Sequence, residues 1–384
     1  MALDSETFSQ LLDAIDHFVE ADLIPAEAQV DATDEVPEEI VAKMRELGLF
    51  GLSIPEEFGG LGLSSCEEVQ IWFNFTRAGS AYRSVCSGNN GIGSQGIIID
   101  GTDEQKQRYL PGMAKGEIIG SFCLTEPEAG SDSGSLRTTA RRDGDDFVIN
   151  GTKRFISNAP FAHVFTVMAR TNPDAIKGGG VSAFLVDADT PGITVGPSYP
   201  KMGQRGAKAS DVIFDDVRVP ASTLIGGVEG QGFKTAMKVL DRGRLSMASG
   251  CVGSAQRLIE EMVNYASERK QFGSAIAEFQ LIQAMIADSA TDHFAARTMI
   301  LETAKCRDQG ERVTKQVSMC KYFASEMVGR IADRALQVHG GTGYIIGTNV
   351  ERLYRDCRIL RLYEGTSQIH QLLIARKTIA EIRQ

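Results

Sequence analysis

Two short stretches of this sequence hold residues whose types and order could do chemistry. The first, residues 122–132 (FCLTEPEAGSD), begins apolar, like the end of a buried strand, and breaks at Pro127. Its small residues Ala129, Gly130 and Ser131 leave backbone N–H groups and a hydroxyl accessible. Such a turn can approach a flat ring or a phosphate without side chains in the way. The second, residues 362–368 (LYEGTSQ), sets Glu364 directly before Gly365. The glycine lets the backbone come close to a bound chain, while Thr366, Ser367 and the start of the following helix offer donors to an anionic cofactor. Taken alone, a Gly/Ser turn is an ordinary strand-to-loop turn, and one loop glutamate is an ordinary solvated charge.

Both stretches need a frame to position them, and the periodicity supplies it in three parts. Residues 1–118 read as helices. Phe8, Leu11, Leu12, Ile15, Phe18 and Val19 form one apolar stripe at helical spacing. Pro37, Glu38 and Glu39 suit a helix start. Residues 48–62 are too glycine-rich for a helix and read as a packed loop, and Asp103 opens a short amphipathic helix stopped by Pro111 and Gly112. From 119 to 230 the pattern changes to short β runs. Asn150-Gly151 between residues 147–149 and 152–156 predicts a hairpin with a type I′ turn. Residues 164–169, 181–186 and 212–219 are further strands, the last closed by Pro220, and a small barrel or sandwich accommodates them. Residues 231–384 turn helical again. Phe279, Ile282, Ile286, Ala290, Phe294, Arg297 and Leu301 trace one face; Val313, Val317, Cys320, Ala324, Val328, Ile331 and Ala335 trace another, on the next helix. The expectation is a multidomain α+β chain: an all-α part, a middle β-barrel or sandwich, and a four-helix bundle.

At 384 residues the chain suits two or three domains, and 42% hydrophobic with 23% charged content is that of a soluble globular protein. A formal net charge of −10 argues against a nucleic-acid partner or an anionic membrane surface, so an anionic cofactor needs a local basic patch. Cys66, Cys86, Cys123, Cys251, Cys306, Cys320 and Cys357 form no C-x-x-C pair and read as reduced thiols of a cytoplasmic protein. The opening MALDSE fits neither a secretory signal nor an organellar presequence. No apolar run approaches transmembrane length, so no membrane insertion is expected.

Residues 124–132 closely resemble the flavin-binding signature L-T-E-P-x-A-G-S-D of the acyl-CoA dehydrogenases, matching every specified position. The α–β–α order is that family's domain order. The resemblance implies FAD as cofactor, with Phe122, Leu124, Thr125, Gly130 and Ser131 on it and Ser131 also beside the substrate. Residues 151–159 (GTKRFISNA) resemble the family's second flavin segment, G-x-K-x-W-I-T-N, and imply contacts from Phe155, Ile156 and Ser157. Phe155 stands where tryptophan is common and Ser157 replaces threonine, which keeps an aromatic wall and a hydroxyl. Read alone, the segment is a strand with Phe155 in the core. Residues 269–273 (RKQFG) with Phe279 and Gln280 resemble R-x-x-F-G. That places Arg269, Gln271, Phe272, Phe279 and Gln280 at the flavin diphosphate of a neighbouring subunit, where a guanidinium fork matches phosphate oxygens. By itself such an arginine is a solvated surface charge. Residues 337–344 (QVHGGTGY) resemble Q-x-x-G-G-x-G-Y, which puts Gln337, Val338, Gly340 and Gly341 at the adenine end of the same neighbouring cofactor. His339 falls at a variable place and reads as structural; no metal is expected.

Residues 363–367 match the family's Y-E-G-T-S, whose glutamate is the catalytic base. This implies Glu364 as base, Thr366, Ser367 and Gln368 on the cofactor, and Tyr363 and Gly365 beside the substrate. Some relatives carry the base at the position of Gly243, which cannot serve. Asp241 and Arg244 match residues at the CoA portion or the acyl-site floor in relatives; read alone, they are a helix N-terminal aspartate and a surface arginine. The implied reaction is α,β-dehydrogenation of an acyl-CoA thioester to a trans-2-enoyl-CoA. An α-proton beside a thioester is weakly acidic, so donors on the carbonyl oxygen must help, each worth a few kcal/mol. In relatives these are the N–H of the glutamate and a ribityl hydroxyl, and burial raises the base's pKa. The hydride passes to flavin N5.

The resemblance further implies a homotetramer that hands electrons to an electron-transferring flavoprotein. Tyr82-Arg83-Ser84 resembles the glutaryl-CoA dehydrogenases, where the arginine binds the distal carboxylate. That implies Arg83 and Ser84 at the acyl tail and a short or dicarboxylic substrate. The acidic residue accompanying that arginine corresponds here to Thr76, and an Arg83 paired with a carboxylate outside the pocket is an equal reading. Two other functions stay open: a flavin-dependent acyl-CoA oxidase on the same fold, and a catalytically silent CoA-ester-binding protein.

Overall fold

The structure, a computed structural model, describes residues 3–175 and 178–383. Helix α1 (Ser5–Phe18) starts at Asp4, whose side chain accepts from the N–H groups of Glu6 and Thr7. One π turn (Val19–Leu23) carries it into α2 (Ile24–Thr33). Helices α3 (Glu38–Glu46), α4 (Ser65–Phe75), α5 (Ser80–Asn90), α6 (Gln95–Asp100) and α7 (Asp103–Ala114) complete the first part. Capping boxes at Ser64 with Glu67 and Thr102 with Gln105 fix the starts of α4 and α7. The stripe of α1 is seated as its spacing requires, with Ile15, Phe18 and Val19 buried and Phe8, Leu11 and Leu12 packed on the same core. Helix α7, however, runs through Pro111 to Ala114. Pro111 lies in its last turn, where the missing N–H removes one hydrogen bond from a helix about to end.

Seven strands follow: β1 (Gly120–Cys123), β2 (Thr139–Asp143), β3 (Asp146–Ser157), β4 (Val164–Arg170), β5 (Val181–Asp187), β6 (Ile193–Val195) and β7 (Ala209–Pro220). They form one curled mixed sheet in the order β1-β4-β2-β3-β7-β6, with β5 also on β4. Strands β1 and β2 pair with β4 in parallel; the other pairs are antiparallel. Asn150-Gly151 is not the expected hairpin turn. Strand β3 runs straight through it, and its register against β7 shifts between Ile149 and Gly151, a bulge. The Asn150 side chain is held by Asp216 on β7 as both donor and acceptor. A Cβ at Gly151 would lie 2.4 Å from Thr138 Oγ1, so the glycine serves a close approach. The real hairpin turn sits at Gly144, φ +65°, between β2 and β3.

The chain then builds a helical bundle from α8 (Gly232–Glu268), α9 (Gln280–Asp308) and α10 (Thr314–His339). A two-stranded hairpin, β8 (Lys270–Gln271) with β9 (Ser274–Ala275), separates α8 from α9. Short α11 (Asn349–Cys357) and the final α12 (Ser367–Ile382) pack on α10. The stripe of α10 is buried as expected: Val317, Cys320, Ala324, Val328, Ile331 and Ala335 all lie in the core. The face traced for α9 is seated only in part, with Phe279, Ile282, Ile286 and Leu301 packed against the same core. Ser289, Ala296 and Ile300 are buried, whereas Ala290, Phe294 and Arg297 are exposed. This helix carries apolar groups on more than one side, and spacing alone does not say which side packs.

Helix α8 joins the parts. Gly232 packs against Ser182 on β5, its next turns against Gly96 on α6, and Gly253 against Phe73 and Thr76 at the end of α4. Among the described residues, no helix is long and apolar enough to cross a membrane.

Candidate active site

Glu364 occupies the link just before α12, in the left-handed region at φ +54°, followed by Gly365 at φ +95°. For a glutamate this conformation costs on the order of 1 kcal/mol or more and persists where surroundings enforce it. Here they do. The Glu364 carbonyl accepts from Arg244 Nε (3.3 Å) and meets His370 Nε2 (3.2 Å), and the Gly365 carbonyl accepts from Lys321 Nζ (2.7 Å). The carboxylate is treated differently: Oε2 is buried and has no hydrogen-bond partner among the described residues. Burial pushes the Glu364 carboxyl above the usual range, and the charges of Arg83, Arg244 and Lys321 pull it partly back. On α8, a Cβ at Gly243 would stand 2.7 Å from Oε2, so the glycine leaves the carboxylate its space.

Arg244 is buried and donates to Asp241 Oδ1 at 2.8 Å, while Thr314 donates to Asp241 Oδ2 at 2.8 Å. Asp241 thus holds Arg244 against the Glu364 carbonyl. Arg83, on α5, lines a cavity with Thr76, Met247, Gly250, Leu360 and Tyr363. Its Nη2 donates to Ser246 Oγ at 3.0 Å and its guanidinium lies 5.2 Å from the Trp72 ring centroid. Its Nε is buried without a partner, and no carboxylate of the described residues comes within ion-pair distance. Thr76 donates its hydroxyl to the backbone of Trp72 and Gly250.

The two segments resembling flavin sites lie side by side. Arg154 N–H donates to the Thr125 carbonyl (2.8 Å), and Ser121 Oγ to the Ser157 carbonyl (2.8 Å). Beneath them is a buried ion pair that the sequence reading missed. Lys153 Nζ donates to Glu126 Oε1 (2.7 Å), the Met168 carbonyl (2.7 Å) and the Leu124 carbonyl (3.3 Å). Glu126 also accepts the N–H groups of Arg137 and Thr138. Burial alone would raise its pKa, but Lys153 and those N–H groups hold the carboxyl below the usual range. Phe122, Leu124 and Ile156 are buried; Gly130, Ser131, Phe155 and Ser157 are exposed and Thr125 half-buried. Phe155 is not in the core: it is 61% exposed, with its ring against Tyr199 at 5.2 Å. Asn158 then ties this surface to α5 by donating to the Ser84 carbonyl at 2.8 Å.

A third group lies elsewhere on the chain. Arg269, Gln271, Phe272 and Gln280 are exposed around the β8–β9 hairpin, with Phe279 half-buried. Arg269 follows Arg244 by 25 residues, mostly along α8. That is about 37 Å at the rise of an α-helix, so one chain does not bring the hairpin to Glu364. Gln337, Gly340 and Gly341 are exposed at the end of α10, and Val338 is buried. His339 stacks on Tyr265 at 4.1 Å and its Nδ1 meets the Ala335 carbonyl, a structural role. At the start of α12, Thr366 accepts from the Ile369 N–H, Ser367 is buried and donates to Glu326, and Gln368 is exposed.

Three family models match the chain in succession: acyl-CoA dehydrogenase N-terminal domain over residues 5–117, middle domain over 121–217, and C-terminal domain over 230–379. The chain belongs to the acyl-CoA dehydrogenase family. It is 42% identical over 359 residues to the 3-(aryl)acrylate reductase of Clostridium sporogenes, covering 93% of this chain and 94% of that one. It is 42% identical over 348 residues to the caffeyl-CoA reductase–Etf complex subunit CarC of Acetobacterium woodii, covering 90% and 91%. The structure of glutaryl-CoA dehydrogenase from Mycobacterium smegmatis superposes with a TM-score of 0.91 at 32% identity, covering 98% of this chain and 95% of that one. An acyl-CoA dehydrogenase is an FAD-dependent oxidoreductase, and the residues present fit that group. The exposed Phe155 ring offers a flat apolar wall, and a Cβ at Gly130, Gly340 or Gly341 would have nothing within 4 Å.

Lys321, His370, Glu126 and Lys153 were not singled out from the sequence. Lys321 carried a signal, a lysine four residues after Val317 on the buried stripe of α10. Glu126 and Lys153 lay inside the resembling motifs.

Proposed function

We propose that this acyl-CoA dehydrogenase abstracts the α-proton of its thioester substrate with Glu364. The observation that carries the reading is the buried, unbonded Oε2 of Glu364 with its backbone fixed on both sides. Bound FAD supplies the two-electron acceptor for the β-hydride. Phe122, Leu124, Thr125, Gly130 and Ser131 would hold it with Phe155, Ile156, Ser157, Thr366, Ser367 and Gln368. Tyr363, Gly365, Asp241 and Arg244 shape the acyl site, and the Glu364 N–H donates to the thioester oxygen as negative charge develops there.

A second copy of the chain completes the site. Arg269, Gln271, Phe272, Phe279, Gln280, Gln337, Val338, Gly340 and Gly341 sit too far along α8 and α10 to serve their own Glu364, which supports the homotetramer. The chain divides near residues 118 and 230. Electrons leave to an electron-transferring flavoprotein, a reading supported by the Etf complex named for the Acetobacterium woodii relative. The seven cysteines, none in a disulfide, support a cytoplasmic protein.

The acyl tail is a short one ending in a carboxylate. Arg83 is half-buried in the cavity wall with its Nε unbonded and no ion-pair partner among the described residues, so an anionic tail would supply the missing partner. The structure named glutaryl-CoA dehydrogenase supports this class. Arg83→Ala should lower kcat/KM for glutaryl-CoA by about 30- to 150-fold, as expected for a charge-assisted pair of about 2–3 kcal/mol. Butyryl-CoA has no charge for Arg83 to bind and should fall by far less, its loss being that from removing the Arg83 charge that helps Glu364 ionise. Equal losses on both esters would remove the carboxylate anchor.

A further inference from the structure

We propose that Lys321 and His370 are positioning residues: they lock the backbone of Glu364 by binding its own carbonyl and that of Gly365. The inference rests on Glu364 being the base.

Three helices converge on this one link. Arg244 reaches it from α8, Lys321 from α10 and His370 from the first turns of α12. Lys321 is fully buried, between the buried Ser318 and Ser325 on the inner side of α10, and has the Gly365 carbonyl at 2.7 Å. No carboxylate of the described residues lies within ion-pair distance of it. A cation placed there is expensive, and what it gains is a bond to the peptide following the base. Burial brings its pKa down to about 8, so it still carries a substantial positive charge near neutral pH.

His370 is also fully buried. Burial, with Arg244 and Lys321 nearby, pushes its pKa down to about 3, so the ring is neutral. Because Nε2 faces the Glu364 carbonyl, Nε2 carries the proton and donates; Nδ1 is buried and unpartnered. A Cβ at Gly365 would come 3.0 Å from Nε2, so the ring and the glycine are fitted to each other. Binding both carbonyls fixes the two peptide planes that follow Cα of Glu364. The carboxylate's direction is then set by backbone, in a conformation that glutamate does not favour unaided. Displacing a catalytic group by about 1 Å can lower a rate by about 10²-fold.

The test uses FAD-loaded Lys321→Met, His370→Leu and His370→Gln beside wild type and Glu364→Gln. Flavin reduction is followed by stopped flow across pH, using whichever of glutaryl-CoA and butyryl-CoA reduces the wild type faster. Lys321→Met and His370→Leu should reduce about 10- to 100-fold more slowly, with acyl-CoA affinity within about threefold. His370→Gln, whose amide can donate to the same carbonyl, should stay within about threefold of wild type. The charges facing Glu364 are Arg83 on α5, Arg244 on α8 and Lys321 on α10. Removing Lys321 should therefore move the rising limb of the pH profile upward, which a merely structural loss would not do.

Wild-type rates and pH profile in Lys321→Met and His370→Leu, whatever their melting temperatures, would overturn the clamp. So would equal losses in His370→Leu and His370→Gln, which still decide if Lys321→Met does not fold. A reactive Glu364→Gln would instead sink the base assignment.

Discussion

Glu364→Gln should leave FAD bound and the fold intact while reduction by acyl-CoA falls by at least about 10³-fold, within the range for a lost general base. The exchange is isosteric and removes no bond from Oε2, which has no partner among the described residues. Its backbone carbonyl keeps Arg244 and His370. Only the capacity to take a proton disappears. Because burial raises the Glu364 pKa, reduction by the wild type should increase with pH as the carboxyl ionises, above the usual carboxylate range. The same shift acts on stability. A carboxyl whose folded pKa is raised favours the fold below its unfolded pKa, and that contribution is lost as pH rises through the folded value. Gln cannot ionise, so the variant should melt no lower than wild type at neutral pH. Stopped-flow reduction with a thermal melt measures both effects, and a variant reduced at the wild-type rate would show that another group takes the proton.

Lys153→Met should have the largest effect on stability. It leaves Glu126 buried among the N–H groups of Arg137 and Thr138 with its cation gone. Breaking one partner of such a pair costs about 3–5 kcal/mol. The loss falls where Lys153 ties β3 to the Leu124 carbonyl, so residues 124–131 should lose their fixed position beside Phe155. Chemical denaturation should show the lower midpoint, and FAD fluorescence should show cofactor leaving at concentrations where wild type stays loaded. Unchanged melting and FAD retention would mean that the pair carries neither function.

Legibility in the sequence followed the range of the interactions. The stripes of α1 and α10 and the wording of residues 124–132 are local patterns, and each could be read directly. Asn150-Gly151 misled because a strong two-residue turn preference was overridden by pairing with β7, more than 60 residues away. Phe294 misled because α9 has apolar residues on more than one side. Arg83 was identified by its neighbours in sequence, but its lack of a carboxylate partner is a property of packing. Lys321 and His370 act on backbone carbonyls, and Lys321 reaches one 44 residues later. No side-chain pattern announces such a partner.

The proposed function requires that a saturated acyl-CoA reduce this protein's flavin. Anaerobic mixing of the FAD-loaded protein with a panel of acyl-CoA esters, followed by visible absorption, tests that most directly. The expected result is rapid bleaching, fastest with a short ester ending in a carboxylate such as glutaryl-CoA. Flavin that stays oxidised with every ester would contradict it and leave a chain that binds CoA esters without oxidising them.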